Sequence, residues 1–140
     1  DRRIDAVILS HPHEDHVAGL ALLLGRYRVA RVFEPGMRGP GPGYAEWLRE
    51  LAKPGAPTRL GLAAGDRLEV DEIALSVLWP IRGQVPATPP DGGTGINNVS
   101  VVLLGQVGRI EVWNRERLQS AVAEAQSQFE TLAEDVLGGS

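Results

Sequence analysis

Apolar and polar positions alternate along the chain in segments of two different periods. Ile4 to Leu9 is a short, β-branched apolar run and predicts a central strand. Val17 to Tyr27 places Leu20, Leu23 and Leu24 on one helical face, and Gly25 with the basic Arg26 and Arg28 marks its end. Arg28 to Phe33 alternates enough for a second strand. Strand, helix, strand in this order implies a βαβ unit with a right-handed crossover and parallel pairing.

Pro35 to Gly43 is a loop by composition. Tyr44 to Lys53 is helical, with Tyr44, Trp47, Leu48 and Leu51 on one side. Thr58 to Leu60 predicts a short strand. Gly65-Asp66 predicts a turn ahead of strands at Arg67 to Val70 and Ile73 to Trp79. Pro80 to Ile96 is a long loop with four prolines and four glycines, a length expected of functional or mobile segments. It is a candidate lid over the polar loop described below. Asn98 to Leu104 predicts another strand, Gly105 to Gly108 a turn, and Arg109 to Trp113 a last strand. Asn114 then caps a helix from Arg115 to Leu137. Leu118, Val122, Ala125, Phe129, Leu132 and Val136 recur along it at steps of four and three, an amphipathic stripe.

Composition narrows the class. With 140 residues and 43% hydrophobic content, the chain suits one folded domain. A net charge of -4 argues against a broadly basic nucleic-acid surface, while leaving room for a local patch. The absence of cysteine removes disulfides and thiolate metal sites. No apolar run approaches the ~18 residues of a membrane span, and no signal peptide is visible. Asp1 stands where Met would be expected, so the chain is expected to be a piece of something longer.

The chemistry concentrates in Ser10-His11-Pro12-His13-Glu14-Asp15-His16, which holds all three histidines. In an extended loop, residues two apart lie on one side, so His11 and His13 can face one metal ion. Asp15 and His16 follow where the helix begins and can address a second point. Nitrogen and carboxylate donors suit zinc, and manganese less selectively. Two ions ~3.5–4 Å apart can share and acidify a water for attack on a phosphoryl or carbonyl group. Asp15 alternatively orients a ligand or takes a proton. One histidine alone would read as a solvated polar residue; three with an aspartate within six residues read as metal ligands.

His-x-His-x-Asp-His after an apolar strand resembles the first metal-binding motif of the metallo-β-lactamase fold. "IDAVILSHPHEDHVAGLALLLGRYRVARVFEPG", "YAEWLRELAKPGAPTRLGLAAGDRLEVDEIALSVLWP" and "INNVSVVLL" resemble the soluble domain of the ComEC family of DNA-uptake channel proteins. The resemblance implies a partial αββα sandwich over residues 1–104. It also implies one metal at His11 and His13 and another at Asp15 and His16, and hydrolysis of nucleic-acid phosphodiesters. By the same resemblance DNA is the substrate, and the parent is membrane-embedded with this domain on the extracytoplasmic side.

The pattern departs from the family after His16. The family takes further ligands from later histidines and from an aspartate near a Thr-Gly-Asp turn, and this chain has no later histidine. Its upstream strands would precede Asp1. Asp66, Asp91 and Glu34 are the carboxylates that would substitute, although each reads first as an ordinary turn or surface residue. A truncated, catalytically silent fold with a structural or binding role is therefore the first alternative.

Residues 105–140 form a second segment. "VGRIEVWNRERLQSAVAEAQSQFETLAEDVL" resembles the end of the MraZ family of bacterial transcriptional regulators, which form rings on DNA. The segment is then either a foreign piece in a composite chain or a helix of the same domain with a fortuitous likeness. The Ile-Glu-Val-Trp-Asn-Arg-Glu-Arg string is more specific than the helix and favours the composite. An MraZ-like cytoplasmic oligomer, assembled through the C-terminal helix, is the second alternative. Gly92-Gly93-Thr94-Gly95 lacks the Lys-Ser/Thr of a phosphate loop, and the serines outside the histidine loop lack the partners of a serine hydrolase.

Overall fold

A computed structural model describes residues 3–93, 95–107 and 115–138. The chain is α/β. Strand β1 (Arg3–Ile8) leads through the histidine loop into helix α1 (Glu14–Arg26), and β2 (Arg28–Glu34) follows. β1 and β2 pair in parallel, with Ala6 opposite Arg31 and Ile8 opposite Phe33. Helix α2 (Pro42–Leu51) connects β2 to β3 (Thr58–Gly61), which lies parallel to β2 on its far side. The second sheet is antiparallel, in the order β4 (Arg67–Val70), β5 (Ile73–Trp79) and β6 (Val102–Val107). β4 and β5 join through Asp71-Glu72, where Asp71 takes φ 52, a left-handed conformation that aspartate tolerates better than most residues.

Strand alternation splits the core in two. Val7 and Leu9 face Val17 and Ala21 of α1 and Tyr44 and Trp47 of α2. Their neighbours Ala6 and Ile8 face the second sheet, where they meet Phe33, Leu62, Leu68, Val77 and Leu103. Helices thus cover one face of the first sheet, and the second sheet covers the other. Helix α3 (Arg115–Gly138) lies against β5, with the Phe129 ring 5.5 Å from that of Trp79. This is the helix–sheet–sheet–helix order of a partial αββα sandwich.

The structure moves several predicted boundaries. α1 starts at Glu14, so Asp15 and His16 stand in its first turn. α2 starts at Pro42, where the missing N–H costs nothing. Asn98 and Val99 are not strand but part of a 3-10 turn over Ile96–Val99. Ser100 closes that turn by donating both its amide (3.1 Å) and its hydroxyl (2.7 Å) to the Asn97 carbonyl. The Trp79 indole N–H holds the Asn98 carbonyl at 2.6 Å. These side-chain bonds override the β propensity of the valines. The strand begins at Val102 and continues through Gly105 to Val107, where a turn is predicted. The predicted strand Arg109–Trp113 and the Asn114 cap lie outside the described residues.

Val85, Ala87 and Ile96 anchor the described part of the 80–96 segment. Val85 and Ile96 join Met37 and Val99 in a third apolar cluster, and Ala87 accepts the Arg38 amide at 2.9 Å. Among the described residues no helix is long and apolar enough to cross a membrane.

Candidate metal centre

The histidine loop leaves the C-terminal end of β1 and is fixed on three sides. Leu9 donates its amide to the Phe33 carbonyl (2.8 Å), which extends the β1–β2 pairing. Ser10 accepts the Val101 amide (2.9 Å), which ties the loop to the start of β6. The third support is the glycine-rich approach to α2. A Cβ on Gly39 would stand 2.6 Å from the Pro12 carbonyl oxygen and 3.0 Å from Tyr44 Cβ, so the loop seats where only glycine leaves room.

Glu14 fastens the same contact. Its carboxylate accepts the Gly43 amide through both oxygens, at 2.9 and 3.0 Å. Gly43 is in the first turn of α2, whose N-cap Gly41 has no side chain to offer. Glu14 therefore supplies from α1 the acceptor and the negative charge that the α2 N-terminus needs. It turns away from the histidines and holds the two helices together. Glu14→Ala is expected to lower stability by about 1–2 kcal/mol, the scale of a lost helix cap. Urea unfolding measures it, and a change within experimental error would remove the capping role.

The ligand candidates gather at the loop. His13 sits at the α1 N-cap with extended backbone, and its carbonyl accepts the amides of His16 and Val17, each at 3.0 Å. Its side chain does no capping. Instead His13 Nδ1 meets Asp15 Oδ1 at 2.8 Å, and the same oxygen lies 3.9 Å from His16 Nε2. Asp15 thus stands between two imidazoles, in the helical first turn that favours a carboxylate. The His11 ring lies 4.3 Å from that of His16 and 6.0 Å from that of His13. His11 is 9% exposed, whereas the other two side chains are about half exposed, at 52% for His13 and 47% for His16. Burial first, then the nearby His16 and His13, hold the His11 imidazole below the usual histidine value against an opposing pull from Asp15. Its neutral form, the form that ligates metal, prevails at neutral pH.

Three imidazoles and a carboxylate suit zinc in kind. As the side chains stand, Asp15 is engaged with His13, and among the described residues no three histidine or acidic side chains form a set that would hold an ion. Two of the three carboxylates weighed as substitute ligands, Glu34 and Asp66, are occupied elsewhere. Glu34, 2% exposed, pairs with Arg59 Nε and accepts the Tyr44 hydroxyl at 3.4 Å. Burial and the Glu34 charge raise the Tyr44 phenol above its ordinary value, so it stays protonated and donates. Asp66 accepts the Ala63 amide at 2.9 Å and pairs with Arg82. Asp91 lies in a 3-10 turn, Pro90–Gly93.

Two clefts flank the core. One, of about 350 Å³, opens between the sheets at Ile8, Arg31, Phe33 and Leu68; the other, of about 240 Å³, lies at Trp79, Val85, Pro90 and Val99. Neither is lined by a histidine.

Sequence reasoning missed the roles of three residues of this region. Glu14 reads as one more acid of the motif, and only the fold shows that it faces α2. Glu34 gives no sign of its ion pair, because Arg59 is 25 positions away. Ser100 reads as a strand residue, yet its hydroxyl lies 3.2 Å from His11 Nδ1; its place in "INNVSVVLL" was the available signal.

The chain is similar to a hydroxyacylglutathione hydrolase of Aeromonas hydrophila subsp. hydrophila, with 38% identity over 48 residues. That stretch is 34% of this chain and 19% of the relative, so the match spans about a fifth of the relative's length. The sequence model of the metallo-beta-lactamase superfamily matches residues 1–111, most of the 140, and takes in the histidine loop and both sheets. The chain belongs to the metallo-beta-lactamase superfamily.

Proposed function

We propose that this chain is the metal-dependent hydrolytic part of a ComEC-type protein and that its substrate is a nucleic-acid phosphodiester. The observation that carries the reading is the gathering of His11, His13 and His16, with Asp15 between the last two, at the C-terminal end of β1. His11, His13, Asp15 and His16 would hold the metal, zinc or manganese. A bound divalent ion supplies Lewis-acid polarisation of the phosphoryl group and activates water for attack. His11 enters as a neutral ligand held by its buried surroundings. Alternatively, Asp15 would orient His13 through their Nδ1–Oδ1 contact or take a proton.

The likeness over "IDAVILSHPHEDHV", "AGDRLEV" and "INNVSVVLL" supports the ComEC assignment. On that reading the parent protein is anchored in a bacterial membrane, the domain faces the extracytoplasmic side, and DNA is its partner. The packing of Phe129 on Trp79 supports taking α3 as a helix of the same domain rather than as an MraZ-like oligomerisation element. The hydroxyacylglutathione hydrolase similarity favours a second substrate, a thioester.

Both substrates are tested together. Purified protein with added Zn²⁺ or Mn²⁺ is offered single-stranded DNA, duplex DNA and a hydroxyacylglutathione. DNA cleavage is expected, and His13→Ala is expected to lower it more than about a hundredfold, since even partners behind a ligand are worth 10–100-fold. Cleavage of the thioester alone would replace the substrate and keep the hydrolase. No His13-dependent turnover of any substrate would leave a silent fold.

A further inference from the structure

The strongest unassigned feature is the serine pair behind His11. Ser10 Oγ lies 3.0 Å and Ser100 Oγ 3.2 Å from His11 Nδ1. Ser10 is the neighbouring residue, so its contact follows from local chain geometry. Ser100 is 89 positions away and arrives through the fold. Its backbone is set by the 3-10 turn it terminates, and the Val101 amide after it is bound to Ser10. Two points of the chain, brought together by β6, thus enclose one ring nitrogen.

Counting protons gives this contact a direction. A serine hydroxyl has one proton. That of Ser100 goes to the Asn97 carbonyl at 2.7 Å, because a carbonyl oxygen can only accept. Toward His11 the Ser100 oxygen therefore presents a lone pair. If Nδ1 were unprotonated, two lone pairs would face each other at 3.2 Å. If Nδ1 carries the ring proton, it donates to Ser100 and to Ser10 alike. Ser10 alone would not decide the matter, since its free hydroxyl can either donate to Nδ1 or accept from it.

We infer that Ser100 is a positioning residue that holds His11 as the Nδ1–H tautomer and so reserves the Nε2 lone pair for a metal ion. The inference rests on the metal-site reading above. Outer partners of ligating histidines act in this way, by fixing which nitrogen carries the proton and how the ring is turned. Here the acceptor is a hydroxyl whose own proton is committed to the backbone, so it cannot switch roles without giving up its bond to the Asn97 carbonyl. Asn97 enters through its carbonyl, and its side chain plays no part.

The test uses the full chain, wild type beside Ser100→Ala and Ser100→Thr. In metal-free, ¹⁵N-labelled protein at a pH of about 8, above the ordinary histidine range, long-range proton–nitrogen correlation spectra distinguish protonated from bare ring nitrogens. Wild-type His11 is expected to show a protonated Nδ1. Ser100→Ala is expected to shift His11 toward the Nε2–H form, with Ser10 then donating to Nδ1, and Ser100→Thr to restore the wild-type spectrum. Zinc affinity, measured by competition with a chromophoric chelator, is expected to fall about 10–100-fold in Ser100→Ala and to recover in Ser100→Thr. Amide spectra confirm that each variant is folded. Wild-type His11 protonated on Nε2, or a Ser100→Ala variant with unchanged tautomer and zinc affinity, would overturn the inference. Failure of wild-type protein to bind zinc would instead strike the metal reading, because the tautomer is read without metal.

Discussion

Trp47→Ala is expected to lower the stability of the chain by about 3–5 kcal/mol, the range for truncating a large buried aromatic. Trp47 is fully buried on α2 and packs among Leu9, Val17, Ala21 and Tyr44, so it joins both helices to the first sheet. The loss comes from apolar area returned to water and from the cavity left between α1 and α2. The indole nitrogen contributes nothing favourable. Among the described residues Trp47 Nε1 is buried without a hydrogen-bond partner, a cost the fold already carries. Trp47→Phe is therefore expected to be far milder than alanine, because it keeps most of the ring volume and removes the unpaired donor. Urea midpoints of the two variants check the order. A phenylalanine variant as unstable as the alanine one would mean that the indole N–H has a partner after all.

Arg59→Met is expected to cost about 2 kcal/mol, and more than Glu34→Gln. Removing one member of a buried ion pair typically costs ~3–5 kcal/mol, because the other charge is left uncompensated. The burial here is one-sided: the Glu34 side chain is 3% exposed and that of Arg59 is 43%, so solvent screens part of the interaction. Losing Arg59 strands a buried carboxylate with, among the described residues, only the Tyr44 hydroxyl, whereas losing the Glu34 charge releases an arginine that solvent already reaches. The pair joins the C-terminal end of β2 to β3 and to α2, next to the glycine-rich segment that seats the histidine loop. Denaturation of both single variants and the double variant gives the ordering. Equal losses from the two single substitutions would contradict it.

Much of the fold was legible because periodicity reports burial. The leucines of α1 and the Tyr44, Trp47, Leu48 and Leu51 face of α2 pack on the first core as their spacing predicts. The parallel β1–β2 pair follows from strand, helix, strand. What failed was decided by side chains bonding to the backbone. Ser100 and Trp79 draw Asn97 to Val99 into a turn that valine-rich sequence does not announce, and β6 shifts toward Val107 as a result.

The candidate site was legible in its ligands and not in its supports. His11, His13, Asp15 and His16 are adjacent in sequence, so local structure alone gathers them. Glu14 at Gly43, Pro12 against Gly39 and Ser100 behind His11 are contacts across the fold, and no spacing rule reveals them. Glu34 and Asp66, which composition alone leaves open as ligands, are committed to Arg59 and Arg82 by tertiary pairing.

The gathered imidazoles are expected to bind a divalent metal ion. Calorimetric titration of zinc into the metal-free chain, beside His11→Ala and His13→Ala, tests it directly. Saturable binding by the wild-type protein is expected, weakened more than about a hundredfold in each variant, because ligands must matter more than the partners behind them. Wild-type protein that takes up no zinc, or binds it equally after both substitutions, would mean that these histidines hold no metal ion.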